Sequence, residues 1–289
     1  MTEQEKWEWR DPEDGIGSVI LTSWQNFLEF IYAEMLDYET YIWRGQRNSN
    51  WELESTLDRL IRTANVKKAK QYDFSKKHLE QFKFATRGRR GLNPRVIETE
   101  NEWWALGQHH GLATPLLDWT ASPFVAAYFS FIDKGSPQTK YRAIYALHKP
   151  SIEEKVDQIV KNKEAENRKK KEEIQKGKKQ VNFLAQALLD FPVNPEVEFI
   201  RPHSDENHRL VNQGGLFSKS PVGVTLNKWI SNHFKGDDSY TLIKLLIPNK
   251  ERDQALKNLN RMNINHLSLF PDLYGASRFC NLFGEIDNY

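Results

Sequence analysis

The amino-acid sequence predicts an α+β fold in which a mixed or antiparallel central sheet is surrounded by helices. Residues 141–147 and 240–247 are apolar runs typical of strands, whereas residues 124–131 and 252–262 are typical of helices. The strand and helix segments do not alternate regularly enough for a βαβ array, and no internal repeat is present. Aromatic residues make up 12% of the 289-residue chain, and nine of them are Trp, so a substantial core is available.

Composition argues against several classes of protein. The 41 basic and 39 acidic residues give a net charge of +2, so the overall charge does not demand a nucleic-acid partner. The single cysteine, Cys280, excludes an internal disulfide and a Cys-rich zinc site, and it fits a reducing cytoplasm. No apolar run approaches the roughly 18 residues of a membrane span. We therefore expect a cytoplasmic protein without a membrane partner.

Residues 18–289 are expected to form a single domain, preceded by a polar N-terminal segment at residues 1–17. Residues 18–36 predict a short strand, a helix cap at Thr22 or Ser23, and an amphipathic helix. Residues 40–44 predict a strand that ends before Gly45. The sequence also predicts helices at residues 53–60, 67–87 and 183–191 and a strand at residues 197–201.

Residues 151–180 form a charged insertion whose second part has almost no apolar residue. This composition is typical of a solvated helix or a disordered segment, with opposite charges four residues apart. The alternative is an arm that binds nucleic acid or a protein partner, because Arg168, Lys169, Lys170 and Lys171 are consecutive.

The most informative stretch is residues 103–131, in which polar residues separate two aromatic-rich apolar segments. Gln108, His109, His110 and Gly111 interrupt the first segment, which is predicted to be the end of a buried helix. A polar group beside a core costs about 1–3 kcal/mol unless it is paired. We therefore predict that these polar residues belong to a functional site.

The second half of this stretch continues with a short apolar run, the residues Asp118 and Thr120, and a new helix. Ser122 before Pro123 is a helix start signal, because the hydroxyl caps a free N–H and Pro lacks the donor that would stay unsatisfied there. Asp118 has two possible roles: it acts on a ligand, or it caps this helix.

Arg44 stands at the end of a predicted strand, immediately before Gly45 and Gln46. A guanidinium fixed there presents a fork of donors to a phosphate or carboxylate, and Gly45 lets a ligand approach the backbone closely. The alternative is a structural salt bridge between Arg44 and a carboxylate such as Asp118.

His109 and His110 are candidates for ligand contact, and the alternative is a pair of packed, hydrogen-bonded core histidines. Adjacent side chains diverge, and no Cys or suitably spaced carboxylate accompanies them, so a metal site is not expected. The sequence contains no P-loop, nucleophile elbow, kinase motif set or GxGxxG after a strand.

Together these blocks resemble the FRG domain, a family named for an aromatic-Arg-Gly motif. That motif stands here as Trp43-Arg44-Gly45-Gln46. The second block runs from Gln108 to residue 123, and later blocks lie at residues 209–217 and 270–275. The resemblance covers residues 18–279, with residues 151–180 as an insertion.

The order of the blocks is also similar to that of ADP-ribosyltransferases, in which a strand-borne Arg precedes a Thr-containing strand and an apolar helix. This resemblance implies an ADP-ribosyltransferase-like fold with NAD as substrate. It further implies that Arg44 holds the NAD phosphates or ribose and that the strand with Thr120 braces the nicotinamide pocket. The late Glu of such enzymes is replaced by Gln213, which can orient a hydroxyl but cannot act as a general base.

Three functional hypotheses follow. The first is an NAD-binding ADP-ribosyltransferase-like enzyme, a phage-defence or toxin effector that modifies a nucleic acid or a protein. The second is a non-catalytic sensor or interaction module that binds a nucleotide. The third is a nucleic-acid-binding protein whose affinity falls steeply with salt. The third would use the lysine-rich insertion and four arginines, Arg87, Arg89, Arg90 and Arg95.

The first hypothesis assigns roles to ten residues. The expected catalytic residues are Gln213, Asp118 and His109. The expected ligand-binding residues are Arg44, Gly45, Gln46, Gln108, His110, Thr114 and Thr120. We predict that Arg44, His109, Asp118 and Gln213 converge on one pocket, with His109 bonding the ligand or orienting Asp118, and Asp118 bracing Arg44 or a ribose hydroxyl.

Overall fold

A computed structural model describes residues 6–91, 93–135, 139–176, 189, 191–201 and 213–289. Within these residues the chain forms one eight-stranded sheet in the order β1-β2-β8-β5-β3-β4-β7-β6. Strands β2 and β8 are parallel, and every other neighbouring pair is antiparallel. The strands are β1 Trp7–Glu13, β2 Ile16–Leu21, β3 Tyr41–Gln46, β4 Leu116–Thr120, β5 Tyr141–His148, β6 Glu198–Ile200, β7 Gly215–Lys219 and β8 Leu242–Pro248.

Ten α-helices in the described part of the chain surround this mixed sheet, so the predicted α+β class is confirmed. They are α1 Trp24–Phe30, α2 Thr56–Thr63, α3 Gln71–Ala85, α4 Glu100–His109, α5 Pro123–Phe131, α6 Lys149–Gln175, α7 Leu226–His233, α8 Arg252–Arg261, α9 His266–Leu269 and α10 Leu273–Glu285.

The helices form three packed groups around the sheet. Helices α1, α5 and α8 cover one face, where Phe27 and Ala126 join the main core. Helices α6 and α7 cover the opposite face, where Ile152 and Trp229 are fully buried. Helices α2, α3 and α4 pack on the end formed by β4 and β7, around Trp104. This third group holds α4 and β4 in fixed positions beside each other.

The sheet is only weakly joined between its neighbouring strands β3 and β4. Strand β3 pairs with β5 along its whole length, from Tyr41 to Gln46. On its other side β3 pairs with β4 at a single position, Trp43 opposite Thr120. Beyond that position the two strands are not joined by ladder hydrogen bonds. An opening between β3 and β4 results.

Several predicted boundaries around the site were wrong. Strand β3 continues through Gly45, because the bare Cα of this residue packs against the backbone of α5. Gln108 and His109 belong to α4, which ends before Gly111 with its φ of 81°. Asp118 lies in the middle of β4. The capping role considered for Asp118 is also wrong, because the Ser122 hydroxyl accepts from the Val125 N–H at 3.3 Å.

Within the polar N-terminal segment, Trp7–Glu13 forms the edge strand β1, antiparallel to β2, for which no strand was predicted. The predicted strand, cap and helix at residues 18–36 are confirmed, with Ser23 as the cap. The charged insertion is helical through residue 175, as the solvated-helix prediction has it. Residues 177–180 and the predicted helix at 183–191, except residues 189 and 191, lie outside the described residues. None of the described helices has the length and apolar character needed to cross a bilayer.

Candidate functional site

The opening between β3 and β4 contains a cavity of about 370 Å³, which we call the inner cavity. This volume lies within the range of about 300–1,000 Å³ that is usual for small-molecule sites. Residues from β3, α4, β4, α5 and β7 line it, together with the turns at Gln213 and Phe270. Its polar lining consists of Arg44, Gln108, His109, Asp118, Thr120 and Gln213. The four residues predicted to converge therefore do so, although they are far apart in the chain.

Arg44 spans the opening from β3 to β4. Its Nη1 donates to the backbone carbonyl of Asp118 at 2.7 Å and lies 3.6 Å from the Asp118 carboxylate. The Arg44 side chain is 18% exposed, and its Nε is buried with no hydrogen-bond partner. Burial lowers the pKa of the guanidinium, and the nearby Asp118 carboxylate opposes that shift. The salt bridge considered for Arg44 is thus present, but a cavity lies directly beside it.

A chain of side-chain hydrogen bonds orients Asp118. The Thr114 hydroxyl donates to Gln108 Oε1, so the Gln108 amide must direct its NH₂ group the other way. That NH₂ group donates to Asp118 Oδ2 at 2.9 Å. Thr114 is fully buried and is itself fixed by Thr56, whose hydroxyl accepts from the Thr114 N–H at 2.8 Å. Gln108 is therefore one side chain that holds Asp118 in the structure, and the role considered for His109 in orienting Asp118 stays a prediction.

Gln213 is fixed at the cavity by both its backbone and its side chain. The Thr120 hydroxyl donates to the Gln213 carbonyl at 2.5 Å, and the Ala121 N–H donates to the Gly214 carbonyl at 3.1 Å. Gly214 has a φ of 56°, which allows the chain to turn tightly into β7. The side-chain NH₂ of Gln213 donates to the carbonyl of Leu269 at 3.2 Å. The Oε1 atom of Gln213 is the part of its side chain that can accept a hydrogen bond.

The remaining predicted site residues occupy different positions. Gly45 and Thr120 line the inner cavity, and His109 is half-buried in its wall. His110 is exposed and lines a separate cleft beside α3. Thr114 and Gln46 do not line the inner cavity. Thr114 contacts the cavity-lining residue Gln108 through the hydrogen bond from its hydroxyl. The ligand and catalytic roles of all ten residues stay predictions.

Sequence reasoning missed the apolar walls of the inner cavity. Phe129 of α5 and Phe270 contact each other edge to face at a centroid distance of 6.1 Å. Phe270 also stacks on His266 at 4.8 Å. Burial is the main reason that the pKa of His266 is lowered to about 4. The block at residues 270–275 was the available signal for Phe270, but an apolar residue that lines a cavity looks in sequence like a core residue. The other walls are Trp43, Trp119, Ala126 and Phe217.

A second opening of about 760 Å³, which we call the outer lobe, adjoins the inner cavity. The two share Arg44, Gly45 and Phe129 as lining residues. Arg59 of α2 lines the outer lobe and is exposed, and its positive charge contributes to lowering the pKa of Arg44. Among the described residues no carboxylate lies within 4 Å of the Arg59 guanidinium, so its charge is available to an anionic ligand.

Two other arginines of the outer lobe are already paired. Arg47 bonds Asp133 at 2.6 Å and lies over the Trp51 ring at 5.0 Å from its centroid. Arg62 makes two hydrogen bonds of 3.0 Å to the Glu54 carboxylate. The uncompensated positive charge of the outer lobe therefore lies at Arg59, close to the junction with the inner cavity.

Among protein-family models, that of the FRG domain matches residues 39–139 of the chain. This range contains β3, α2 to α5 and β4, and with them Arg44, Gln108, His109, Asp118 and Thr120. Neither curated proteins nor solved structures yielded a match to the chain.

Proposed function

We propose, from the FRG domain that the chain carries at residues 39–139, that this protein binds NAD between β3 and β4 and transfers its ADP-ribose to an acceptor. The observation that supports the proposal most directly is the position of Arg44. Its guanidinium is largely buried, has an unpaired Nε and borders both the inner cavity and the outer lobe. A buried guanidinium beside an open cavity is well suited to an anionic ligand such as a diphosphate.

We place the dinucleotide across the two adjoining openings, which share Arg44, Gly45 and Phe129. We place the nicotinamide end in the inner cavity, between the rings of Phe129, Phe270 and Trp119. The diphosphate would then lie at the junction beside Arg44, with Arg59 as a second cation. The adenosine end would extend into the outer lobe, where the Trp51 ring is 38% exposed. An aromatic ring at that position offers a stacking surface to a base.

The reaction requires that the bond between nicotinamide and the C1′ atom of its ribose breaks, and that an acceptor nucleophile bonds to C1′ and gives up its proton. Among the described residues that line the inner cavity, Asp118 is the one carboxylate. Its side chain is 57% exposed and is held by Gln108. We assign to Asp118 the orientation of a ribose hydroxyl or the acceptance of this proton. Gln213 would orient a hydroxyl through its Oε1.

A second candidate function is a nucleotide-binding module without catalysis. Two observations favour it. The neutral Gln213 stands in place of the late Glu of ADP-ribosyltransferases, and the Asp118 carboxylate already contacts Arg44 and Gln108. In this case NAD or a related nucleotide binds in the same place but is not cleaved.

Calorimetry with NAD and a parallel assay of nicotinamide release test both candidates. We expect Arg44→Ala to weaken NAD binding by about 10- to 150-fold, because a charged hydrogen bond contributes about 1.5–3 kcal/mol. Arg44→Lys should recover only part of the loss, since an ammonium lacks the fork of donors. Arg10→Ala on the edge strand β1 is the matched control and should bind NAD as the unaltered protein does.

The outcomes separate the two candidates. Nicotinamide release that is lost in Arg44→Ala supports the transferase. Tight NAD binding without release supports the binding module. Binding or turnover that Arg44→Ala leaves unchanged contradicts the placement of the ligand in either case. A thermal unfolding curve for each variant shows whether the substitution destabilises the fold, because Arg44 also bonds β3 to β4.

A further inference from the structure

A strongly basic surface lies at the end of α3, outside the inner cavity. It consists of the last turn of that helix and the loop that follows, residues 84–91, which we call the arginine loop. Arg87 and Arg89 are exposed, and Arg90 is half-buried. In the described part of the chain none of these three guanidinium groups has a carboxylate within 4 Å. The arginine loop therefore presents three positive charges that no neighbouring carboxylate neutralises.

The structure holds two of these arginines against aromatic rings. The Arg87 guanidinium lies over the Phe84 ring at 4.8 Å from its centroid, and the Arg90 guanidinium lies over Trp103 at 5.2 Å. Phe84 is nevertheless 63% exposed, so part of its ring is open to solvent beside the Arg87 guanidinium. Cations interleaved with exposed aromatic faces are the combination that binds single-stranded nucleic acid, since phosphates pair with the cations and bases stack on the rings.

The acidic residues near the arginine loop are already bonded. Glu80 accepts from Lys83 at 2.8 Å, and Glu102 accepts from Arg95 at 3.4 Å and from the Thr99 backbone. Arg95, considered from the sequence as a fourth DNA- or RNA-binding arginine, is thus engaged in an ion pair. Two clefts of about 720 and 960 Å³ flank the loop, and Arg87 and Phe84 line both. A strand of nucleic acid therefore has space beside the Phe84 ring.

The lysine-rich helix α6 differs from this surface. Several of its lysines are paired with glutamates, such as Lys163 with Glu196 at 2.7 Å and Lys149 with Glu153. It also packs against another part of the core, through Ile152. Among the described residues of the two basic segments considered for nucleic acid, the arginine loop is the one in which a guanidinium, that of Arg87, lies over a largely exposed aromatic ring, Phe84.

The arginine loop adjoins the inner cavity through the end of α4. His110 lines the cleft beside the loop, and the preceding residue, His109, lines the inner cavity. We propose that the arginine loop binds single-stranded nucleic acid and presents it to the inner cavity as the acceptor. The binding surface stands by itself, whereas its role as acceptor site rests on the proposed function.

Fluorescence anisotropy with labelled single-stranded oligonucleotides of about 15 nucleotides tests the binding surface, without NAD and at roughly 50 mM salt. We expect the double variant Arg87→Glu with Arg89→Glu to weaken binding about tenfold or more, because it removes two phosphate contacts and adds repulsion. Phe84→Ala should weaken binding about fivefold or more through lost stacking, and it leaves the core intact because the ring is exposed.

The matched control is Lys169→Glu with Lys170→Glu, which changes the same number of charges on exposed positions of α6. We expect it to change the affinity by less than about threefold. Equal losses in both double variants would show that overall charge, not this surface, governs binding and would overturn the proposal. So would absence of binding at low salt, equal affinity for a duplex of the same length, or equal displacement by a polyglutamate peptide.

This experiment is independent of the NAD assays. A protein that binds the oligonucleotide but not NAD contradicts the proposed function and leaves the binding surface supported. A protein that binds NAD but not the oligonucleotide contradicts the binding surface alone. If both bind, transfer of radiolabelled ADP-ribose to the oligonucleotide, reduced in the Arg87→Glu with Arg89→Glu variant, tests the acceptor role.

Discussion

Gly45 shows how a single residue sets the spacing between the site and the helix behind it. A Cβ atom at this position would lie 1.9 Å from the Ala126 carbonyl oxygen and 2.6 Å from the Ser130 N. Both atoms belong to the backbone of α5, so neither can move without moving the helix. Strand β3 therefore approaches α5 more closely than any other amino acid at residue 45 would allow.

We expect Gly45→Ala to lower the free energy of unfolding by about 2–3 kcal/mol, because overpacking against rigid backbone is costly. Denaturant unfolding measures this change. The matched control is Gly284→Ala in α10, where nothing lies within 4 Å of the added Cβ. That control should be neutral or stabilise by up to about 1 kcal/mol, since Ala favours helix over Gly. Equal effects at both positions would contradict the close approach of β3 to α5.

His266 makes the stability of the cavity wall depend on pH. Its side chain is 5% exposed and bonds the Tyr128 hydroxyl, and burial lowers its pKa to about 4. The unfolded chain has a His pKa near 6.5, so it takes up a proton first as the pH falls. The contribution of neutral His266 is thus complete above about pH 6.5 and is lost progressively towards pH 4.

We expect the free energy of unfolding to fall by up to about 3 kcal/mol between pH 7 and pH 4 on account of this residue. Denaturant unfolding at a series of pH values, in the unaltered protein and in His266→Gln, measures the contribution. The variant should show the smaller dependence on pH, because Gln does not titrate. Parallel curves for the two proteins would rule out His266 as a source of the acid sensitivity.

At the residue scale the polar part of the site was predictable and the apolar part was not. Arg44, Asp118 and Gln213 interrupt apolar segments, where an unpaired polar group is costly, so they attract attention in the sequence. Phe129 and Phe270 do not, because a ring that lines a cavity and a ring inside a core have the same local pattern. The bond from Gln108 to Asp118 depends on how α4 packs beside β4, which local sequence does not specify.

Helix α5 carries one wall of the inner cavity, and two buried arginines fix its carboxyl end. Arg142 on β5 is 1% exposed and donates to the Ser130 and Asp133 carbonyls and to Asn249. Arg252 donates to the Phe131 carbonyl at 2.9 Å. The last carbonyls of a helix have no intrahelical partner, and a cation there also interacts favourably with the helix dipole.

We expect Arg142→Met to lower the free energy of unfolding by about 3 kcal/mol, because one buried acceptor and two partly buried acceptors lose this donor. Arg168→Met on the exposed part of α6 is the matched control and should change stability by less than about 0.5 kcal/mol. Thermal and denaturant unfolding of both variants provide the comparison. A loss near zero in Arg142→Met would show that water replaces the guanidinium at the end of α5.

Element types were easier to predict than the ends of the elements. The helix after Ser122 and the strand β5 follow from a cap and from apolar patterning. Strand β1 does not, because a polar edge strand lacks the buried alternating pattern that marks a strand in sequence. The passage of β3 through Gly45 and the mid-strand position of Asp118 arise from tertiary packing, which overrides the local tendency to end a strand at such residues.

At the scale of the whole molecule, the segment matched by the FRG family is structurally incomplete. Residues 39–139 contain β3 and β4, which meet only at Trp43 and Thr120. The full neighbour of β3 is β5, and the neighbour of β4 is β7, both of which lie beyond residue 139. The matched segment therefore contributes most of the walls of the inner cavity, whereas Gln213, Phe217, Phe270 and the supporting strands lie outside it.

We expect a fragment of residues 39–139 to lack a cooperative thermal transition, because its two strands would have almost no sheet partners. Circular dichroism during heating, with the full chain as control, measures this property. A fragment that melts cooperatively and binds NAD as the full chain does would show that the pairing of β3 with β5 is dispensable.

The single pairing of Trp43 with Thr120 has a consequence for how variation elsewhere in the chain affects the site. The width of the opening depends on the angle between two half-sheets, β1-β2-β8-β5-β3 and β4-β7-β6, which share a core with α6 and α7. A change in a distant core residue that rotates one half-sheet by a few degrees alters the distance across the opening, without contact with a bound molecule. Ligand affinity in this fold should accordingly drift during evolution through substitutions in the core, even while Arg44 and Asp118 stay the same.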